Sequence, residues 1–376
     1  MIRSVLVGLL LLFALVGGAS AQGCSSYPNT LTNGTNADAT QVMANFNYVA
    51  NCVNSISTNI GTTNSTISNC ALAASVISNN LTVALKANNG SDPSTSNPCI
   101  VSFRDSSAPA GDYIVASVTS ATSIVLNSGS SLGASSGVAF RIWVELMYNG
   151  TTAVLAVSLQ STPTAIFALT EESLRSSTAC NACTNATSAG TFFSTAALTS
   201  APFRILGYLE WGNGLTTAGN WVTGPTKIQL FGPGINKPGE VVQTVVAIGV
   251  GTGSNSSLTP VNVTGGNVSI ALTSAANLVK YSFFGQASVS AGGAGTNSQA
   301  LVGIVRGATA LTASALVGVV SGSGTNYQSE ASATLTGYDK PNSVSSLTYG
   351  AQISNPNNNA AASFTKINIS VDEIQG

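Results

Sequence analysis

The side chains able to do acid–base chemistry in this 376-residue sequence are few: Asp and Glu number 13, Lys and Arg 12, and there is no His. Without His, Ser–His–Asp and Cys–His catalysis lack their base, and the commonest metal ligand is missing. Paired carboxylates could still cut glycosidic bonds. The adjacent pairs are Glu171–Glu172 and Asp372–Glu373. Neighbours on a strand point to opposite faces, so adjacency is not a catalytic arrangement. Asp92, Asp105, Asp112, Glu145 and Glu210 would have to be brought together by the tertiary fold. Arg141 and Glu145, with Trp143 between them, read as surface charges. Trp143, Trp211 and Trp221 are candidates for stacking on sugars, although Trp211 alternates with core residues. The expectation is a non-enzymatic protein with no catalytic residues, no cofactor and no metal.

Six cysteines stand at positions 24, 52, 70, 99, 180 and 183. An even number in an exported chain permits disulfides, and six allow 15 pairings. Cys180-x-x-Cys183 resembles half a zinc site, but with no His and no second CxxC it is better read as a local disulfide or two thiols. The glycine runs at 249–253 and 292–295 lack the Lys-Ser/Thr and the helix of a phosphate loop, so they are read as turns.

The elements that carry these residues are polar without being charged. Charged residues make up 7% of the sequence, against roughly 25% in ordinary domains. The net charge of −1 offers no field for nucleic acid or an acidic membrane. Residues 1–21 have the form of a secretory signal: Arg3, an apolar run from Val5 to Val16, and Ala19-Ser20-Ala21 as cleavage site. The run is shorter than the roughly 20 residues a spanning helix needs, and no other span is expected after cleavage. Alternatives are an uncleaved anchor and a lipoprotein at Cys24.

Residues 22–35 read as a leader and 36–82 as a helical stalk. Val42, Phe46, Val49, Val53, Ile56, Ile60, Thr63, Ile67, Cys70, Ala74, Ile77 and Leu81 fall at alternating spacings of four and three. That is a heptad seam, and as one helix it would be a rod of about 60 Å. β-Branched residues at both core positions favour trimers over dimers. Asp38 or Asn36 can cap the start, Gly61 is a weak point, and Cys70 is a candidate for cross-linking chains.

From 83 onward the period becomes two. In 138–148, Val138, Phe140, Ile142, Val144 and Leu146 share one face, and Arg141, Trp143, Glu145 and Met147 the other. Asn149-Gly150 then predicts a two-residue hairpin turn, with Ala153 to Leu159 returning. A β-rich domain over 83–232, a Pro/Gly linker at 233–240 and a sandwich or jelly-roll head at 241–376 complete the plan. Strands are expected at 268–272, 278–289, 301–306, 347–353 and 367–371. The fold class is thus mainly β: a helical coiled-coil stalk followed by two antiparallel β domains.

Several segments resemble a known group. SYPNTLTNGTNADATQVMANFN (26–47), LTVALKANNGSDPSTSNP from Leu81 with FRDSSAPAGDY (103–113), and SAPFRILGYLE with TTAGNWVTGPTKIQLFGPG (200–234) resemble bacteriophage tail-fibre-like proteins. LTYGAQI (347–353) and ISVDEIQ (369–375) look like the closing strands of fibre heads. The resemblance implies a homotrimeric receptor-binding protein without catalytic residues, whose distal loops contact a host cell-surface glycan or protein. The signal-like start departs from that pattern, since tail fibres assemble in the cytoplasm. It points to an exported, cell-surface protein, or a virion component if the gene is viral. A structural appendage protein and a secreted polysaccharide-degrading enzyme are the alternatives.

Overall fold

A computed structural model describes residues 29, 38–60, 67–105, 107, 111–180, 182–290, 297–312, 315–321, 328–357 and 362–376. The signal and almost all of the leader lie outside them, as do Thr63, Gly61 and the glycine run at 292–295. The chain divides into two units, 1–66 and 67–376. The described structure is mainly β, with one α-helix among the described residues.

That helix, Ala39–Ile60, belongs to the first unit. Asp38 starts it: its Oδ1 accepts from the Thr40 N–H at 2.8 Å and its carbonyl from the Val42 N–H at 3.1 Å. Val42, Phe46, Val49, Val53, Ile56 and Ile60 are all on it. At 22 residues it is about 33 Å long. The expected stalk to residue 82 is therefore too long, and no coiled coil is seen. No helix among the described residues is long and apolar enough to cross a membrane.

Strands take over where the heptad spacing continues. Ile67 lies in the strand Ile67–Ser68, Ala74 and Ile77 in Ala71–Ile77, and Leu81 in Asn80–Lys86; Cys70 sits between the first two. The last two strands pair as a hairpin from Ala71↔Lys86 to Ile77↔Asn80. Its turn, Ser78–Asn79, has φ of 50° and 62°, the conformation of a tight hairpin. Leu81, Val83 and Leu85 are fully buried and alternate with half-covered neighbours. The β-branched residues that mimicked a trimeric seam suit a half-buried strand equally well. Cys70 is bonded to Cys99 of the same chain, so it does not cross-link chains.

Among the described residues, three sheets precede residue 233. Ile67–Ser68, Cys99–Arg104 and Tyr113–Val118 form one, and Ala71–Ile77, Asn80–Lys86 and Thr122–Leu126 another. The third has six strands in the order Lys227–Leu230, Phe203–Trp211, Phe140–Tyr148, Ala153–Ser158, Phe192–Ser194 and Ser177–Ala179. The last two are parallel; the rest are antiparallel. The hairpin 140–158 forms as expected, but its loop has four residues, since Tyr148 pairs with Ala153. Asn149 sets that length: its Oδ1 accepts from the N–H groups of Thr151 and Thr152 at 2.9 and 2.8 Å.

After residue 240 come two five-stranded antiparallel sheets. One joins Val241–Val250, Ala362–Ile374, Leu278–Ser290 and Gln328–Asp339, with Gly253–Asn255 on Ala362–Ile374. The other joins Val261–Ala271, Ser346–Ser354, Asn297–Arg306 and Thr309–Ala310, with Ala315–Ser321 on Asn297–Arg306. One core draws on both, with Tyr281, Phe283, Ile369 and Val371 facing Val268, Ile270, Val302 and Tyr349.

The strand Phe140–Tyr148 is buried on both faces. Phe140, Ile142, Val144 and Leu146 enter a core with Phe103, Trp211 and Trp221. Trp143 and Met147 enter a second core with Phe192, Phe203 and Tyr208. The alternation was legible, but the second face is covered: Arg141 is 3% exposed and Glu145 0%. The reading of these two as surface charges is thus corrected. All three tryptophans are buried, which removes them as sugar platforms.

Candidate functional site

The carboxylates singled out in the sequence are dispersed, and the structure gives most of them separate local roles. Glu171 Oε2 lies 3.3 Å from Arg204 Nη1 and 2.9 Å from Lys237 Nζ, and its Oε1 accepts from the Ile205 N–H at 2.8 Å. Asp92 pairs with Lys86 at 2.6 Å at the surface. Asp112 accepts from the Tyr113 N–H, and Asp372 from the Thr244 hydroxyl. Glu210 and Glu373 lie in a buried polar chain that stitches the six-stranded sheet to the sheets after residue 240. Arg141 Nε donates to Glu210 Oε2 at 2.7 Å, its Nη1 donates to Asn277 Oδ1, and Asn277 Nδ2 donates to Glu373 Oε1 at 2.5 Å. Gln243 Nε2 donates to Glu373 Oε2 at 2.6 Å, and Ser274 Oγ to Glu210 Oε2 at 2.9 Å. Hydrogen-bonded buried charges of this kind stiffen the joint between sheets.

Glu145 is fully buried, with Ser158 as its side-chain hydrogen-bond partner and the Arg175 charge acting on it. Ser158 Oγ donates to its Oε1 at 2.5 Å, and Gln160 Nε2 supports that hydroxyl at 2.7 Å. Its Oε2 has no hydrogen-bond partner. Burial raises its pKa well above the usual carboxylate value, with only partial opposition from the Ser158 bond. Lys340, half-buried with its Nζ 3.4 Å from Ser161 Oγ, is lowered to about 8 by burial and by repulsion from Arg141. Tyr349 is raised by burial and by its bond to Asp339, and Tyr281 by burial and the Asp339 charge. Among the described residues no three Cys, Asp or Glu side chains converge as a metal site. Cys180 and Cys183 are joined to each other, like Cys70 and Cys99. Such bonds persist in oxidising compartments.

A cleft of about 410 Å³ opens beside the 140–158 hairpin tip. Arg104 and Asp105, Tyr148 and Asn149, and the loop 197–202 line it. The Tyr148 ring is held in place. It stacks on buried Phe103 at 5.6 Å, its hydroxyl donates to the Gly150 carbonyl at 2.9 Å, and its N–H donates to the Pro202 carbonyl at 2.9 Å. Arg104 Nη1 donates to the Glu172 carbonyl. Gly150, at φ 95°, allows the chain to reverse beside the ring. The lining thus combines one fixed aromatic face, one guanidinium, one carboxylate, an amide and the hydroxyls of Thr199 and Ser200. Of the carboxylates considered in the sequence, Asp105 alone lines it, beside Asn149 and Gly150 of the predicted turn; Tyr148 was overlooked because it ends the alternating run and was counted with neither face.

The molecule these features define is a mainly β protein of largely antiparallel sheets, with one helix among the described residues and a polar cleft at a hairpin tip. No protein-family model and no curated protein matches the sequence, so the tail-fibre resemblance has no counterpart there. Among solved structures, the chain is similar to that of infectious bursal disease virus, Gx strain. The identity is 13% over 83% of this chain and 74% of that one, with a TM-score of 0.21. The VP2 subviral particle of the same virus gives 11% identity over 83% and 78%, with a TM-score of 0.19. An exo-beta-1,3-galactanase from Phanerochaete chrysosporium gives 13% over 80% and 57%, with a TM-score of 0.13. Scores this low assign neither a shared fold nor a function.

Proposed function

We propose that the chain is a non-enzymatic, exported attachment protein that binds a cell-surface glycan in the cleft beside Tyr148. The observation that carries the reading is the lining of that cleft. A fixed aromatic face suits the C–H side of a sugar ring, and the Arg104, Asp105 and Asn149 side chains suit its hydroxyls. Asp105 is the one carboxylate in the lining, whereas glycoside hydrolysis uses two that flank the bond. The helix supports self-association, with the homotrimer as its expected form. Phe46 is 65% and Val49 39% exposed, on the heptad face that copies of the helix would cover. Binding of the purified chain to a glycan array, lost in Arg104→Ala and Asp105→Asn, is the expected result. Release of reducing sugar that vanishes in Asp105→Asn would establish a hydrolase instead. Failure to bind any glycan, together with assembly into filaments, would establish a structural appendage protein.

A further inference from the structure

A second cleft, of about 260 Å³, is lined by residues of the same hairpin tip, and Tyr148 lines both. Its walls are Val115–Thr122 without Ala121, and Thr151–Ala153 of the hairpin. Its chemistry differs from that of the first. No Asp, Glu, Lys or Arg is in the lining, which instead presents the hydroxyls of Ser117, Thr119, Ser120, Thr122, Thr151 and Thr152. Thr152 Oγ1 accepts from Asn149 Nδ2 at 3.1 Å, which leaves its own proton to donate outward. The side chains of Ser117 and Thr151 are exposed. At 260 Å³ the second cleft falls below the roughly 300 Å³ from which small-molecule sites usually start, so it suits an extension of a neighbouring site better than a site of its own.

The hairpin tip that both clefts share is held in place. Asn149 closes the 149–152 loop with three bonds from its side chain, to the Thr151 and Thr152 N–H groups and to the Thr152 hydroxyl. Phe103 and Gly150 hold the Tyr148 ring. A ligand that contacts both clefts would meet a preorganised loop, so little ordering cost would oppose its binding.

We infer that the two clefts are subsites of one groove for a linear oligosaccharide, which crosses the hairpin tip with Tyr148 common to both. The second subsite takes neutral, hydroxyl-bearing sugars, and any charged or acidic sugar sits in the first, against Arg104. This inference rests on the glycan reading of the first cleft and adds the length and polarity of the ligand.

The test uses the full chain and a size series of linear glucose, galactose and N-acetylglucosamine oligomers, one to six residues each, titrated by calorimetry. Three proteins are compared: the wild type, Ser117→Val with Thr151→Val, and Arg104→Ala. The two second-cleft positions are exposed, so the double variant is expected to keep the wild-type melting temperature. For one of the sugars, affinity is expected to rise at least tenfold from the shortest binding oligomer to the longest. The double variant is expected to abolish that rise while leaving the shortest oligomer's affinity unchanged, and Arg104→Ala to weaken every length. Length-independent binding that Arg104→Ala weakens and the double variant does not would overturn the two-subsite groove and leave the first-cleft reading standing. Absence of binding to every oligomer in the series and on the array would overturn both.

Discussion

Arg141 and Glu210 sit opposite each other on neighbouring strands of the six-stranded sheet, and their side chains meet at 2.7 Å with Arg141 only 3% exposed. The guanidinium also stands 4.8 Å from the centre of the Tyr208 ring and bonds Asn277 from the sheets beyond residue 240. One side chain thereby ties a strand pair to the neighbouring sandwich. Arg141→Met leaves Glu210 and Asn277 short of a partner in a largely buried site. It is expected to cost about 3–5 kcal/mol, read as a fall in the denaturant midpoint. Arg141→Met with Glu210→Leu is expected to recover part of that loss.

Glu145 gives the protein a pH dependence of known sign. Its folded pKa is raised above the ordinary value of 4.5, so the folded chain holds the proton more tightly than the unfolded chain. The stability it contributes is complete below about pH 4.5 and is lost as pH rises toward the folded pKa, at up to about 1.4 kcal/mol per pH unit. Glu145→Gln is expected to flatten this slope in a series of chemical denaturations upward from pH 4.5. An unchanged slope would show that Glu145 is ionised in the folded chain.

Lys340 acts with the same linkage in another window. Its folded pKa of about 8 lies below the ordinary 10.5, so the unfolded chain binds the proton more tightly. Stability is expected to rise as pH climbs from about 8 to 10.5. Because the side chain is only half-buried, the slope is expected to stay under about 1 kcal/mol per unit. Lys340→Met, melted across the same range, is expected to lose the rise.

The Cys70–Cys99 bond closes a loop of 29 residues around the first hairpin and pins it to the strand Cys99–Arg104. Replacing both cysteines with Ala is expected to lower stability by about 3 kcal/mol, through the freedom regained by the unfolded chain. Because the bond lies within one chain, non-reducing electrophoresis of a Cys70→Ala variant is expected to show the same ladder as the wild type.

Self-association through the helix is tested by charge. Phe46→Asp with Val49→Asp places two carboxylates on the exposed seam while leaving the Asp38 cap intact. Sedimentation is expected to show the wild type as a trimer and the variant as a monomer. Two species of equal mass would move the oligomer contact elsewhere.

Some of this architecture is written locally. The alternation in 138–148 places residues on the right faces, because side-chain direction on a strand depends only on position along the chain. Asp38 starts the helix because a short acceptor beside the first turn is a local requirement. The composition sets the net charge at −1, which depends on no tertiary contact. Other features depended on residues far away in the sequence. The heptad spacing ran on from Ile60 to Leu81, yet the chain there forms a hairpin, because Leu81, Val83 and Leu85 are buried in a β core and Thr122–Leu126 pairs alongside. Arg141 and Glu145 looked like surface residues until packing covered their face, and the partner that covers Arg141 is 136 positions away, at Asn277. Periodicity carries the direction in which a side chain points. What it meets there is decided by the packing of distant strands, which is why the faces could be read from the sequence while the buried charges, the disulfide partner of Cys70 and the cleft at Tyr148 could not.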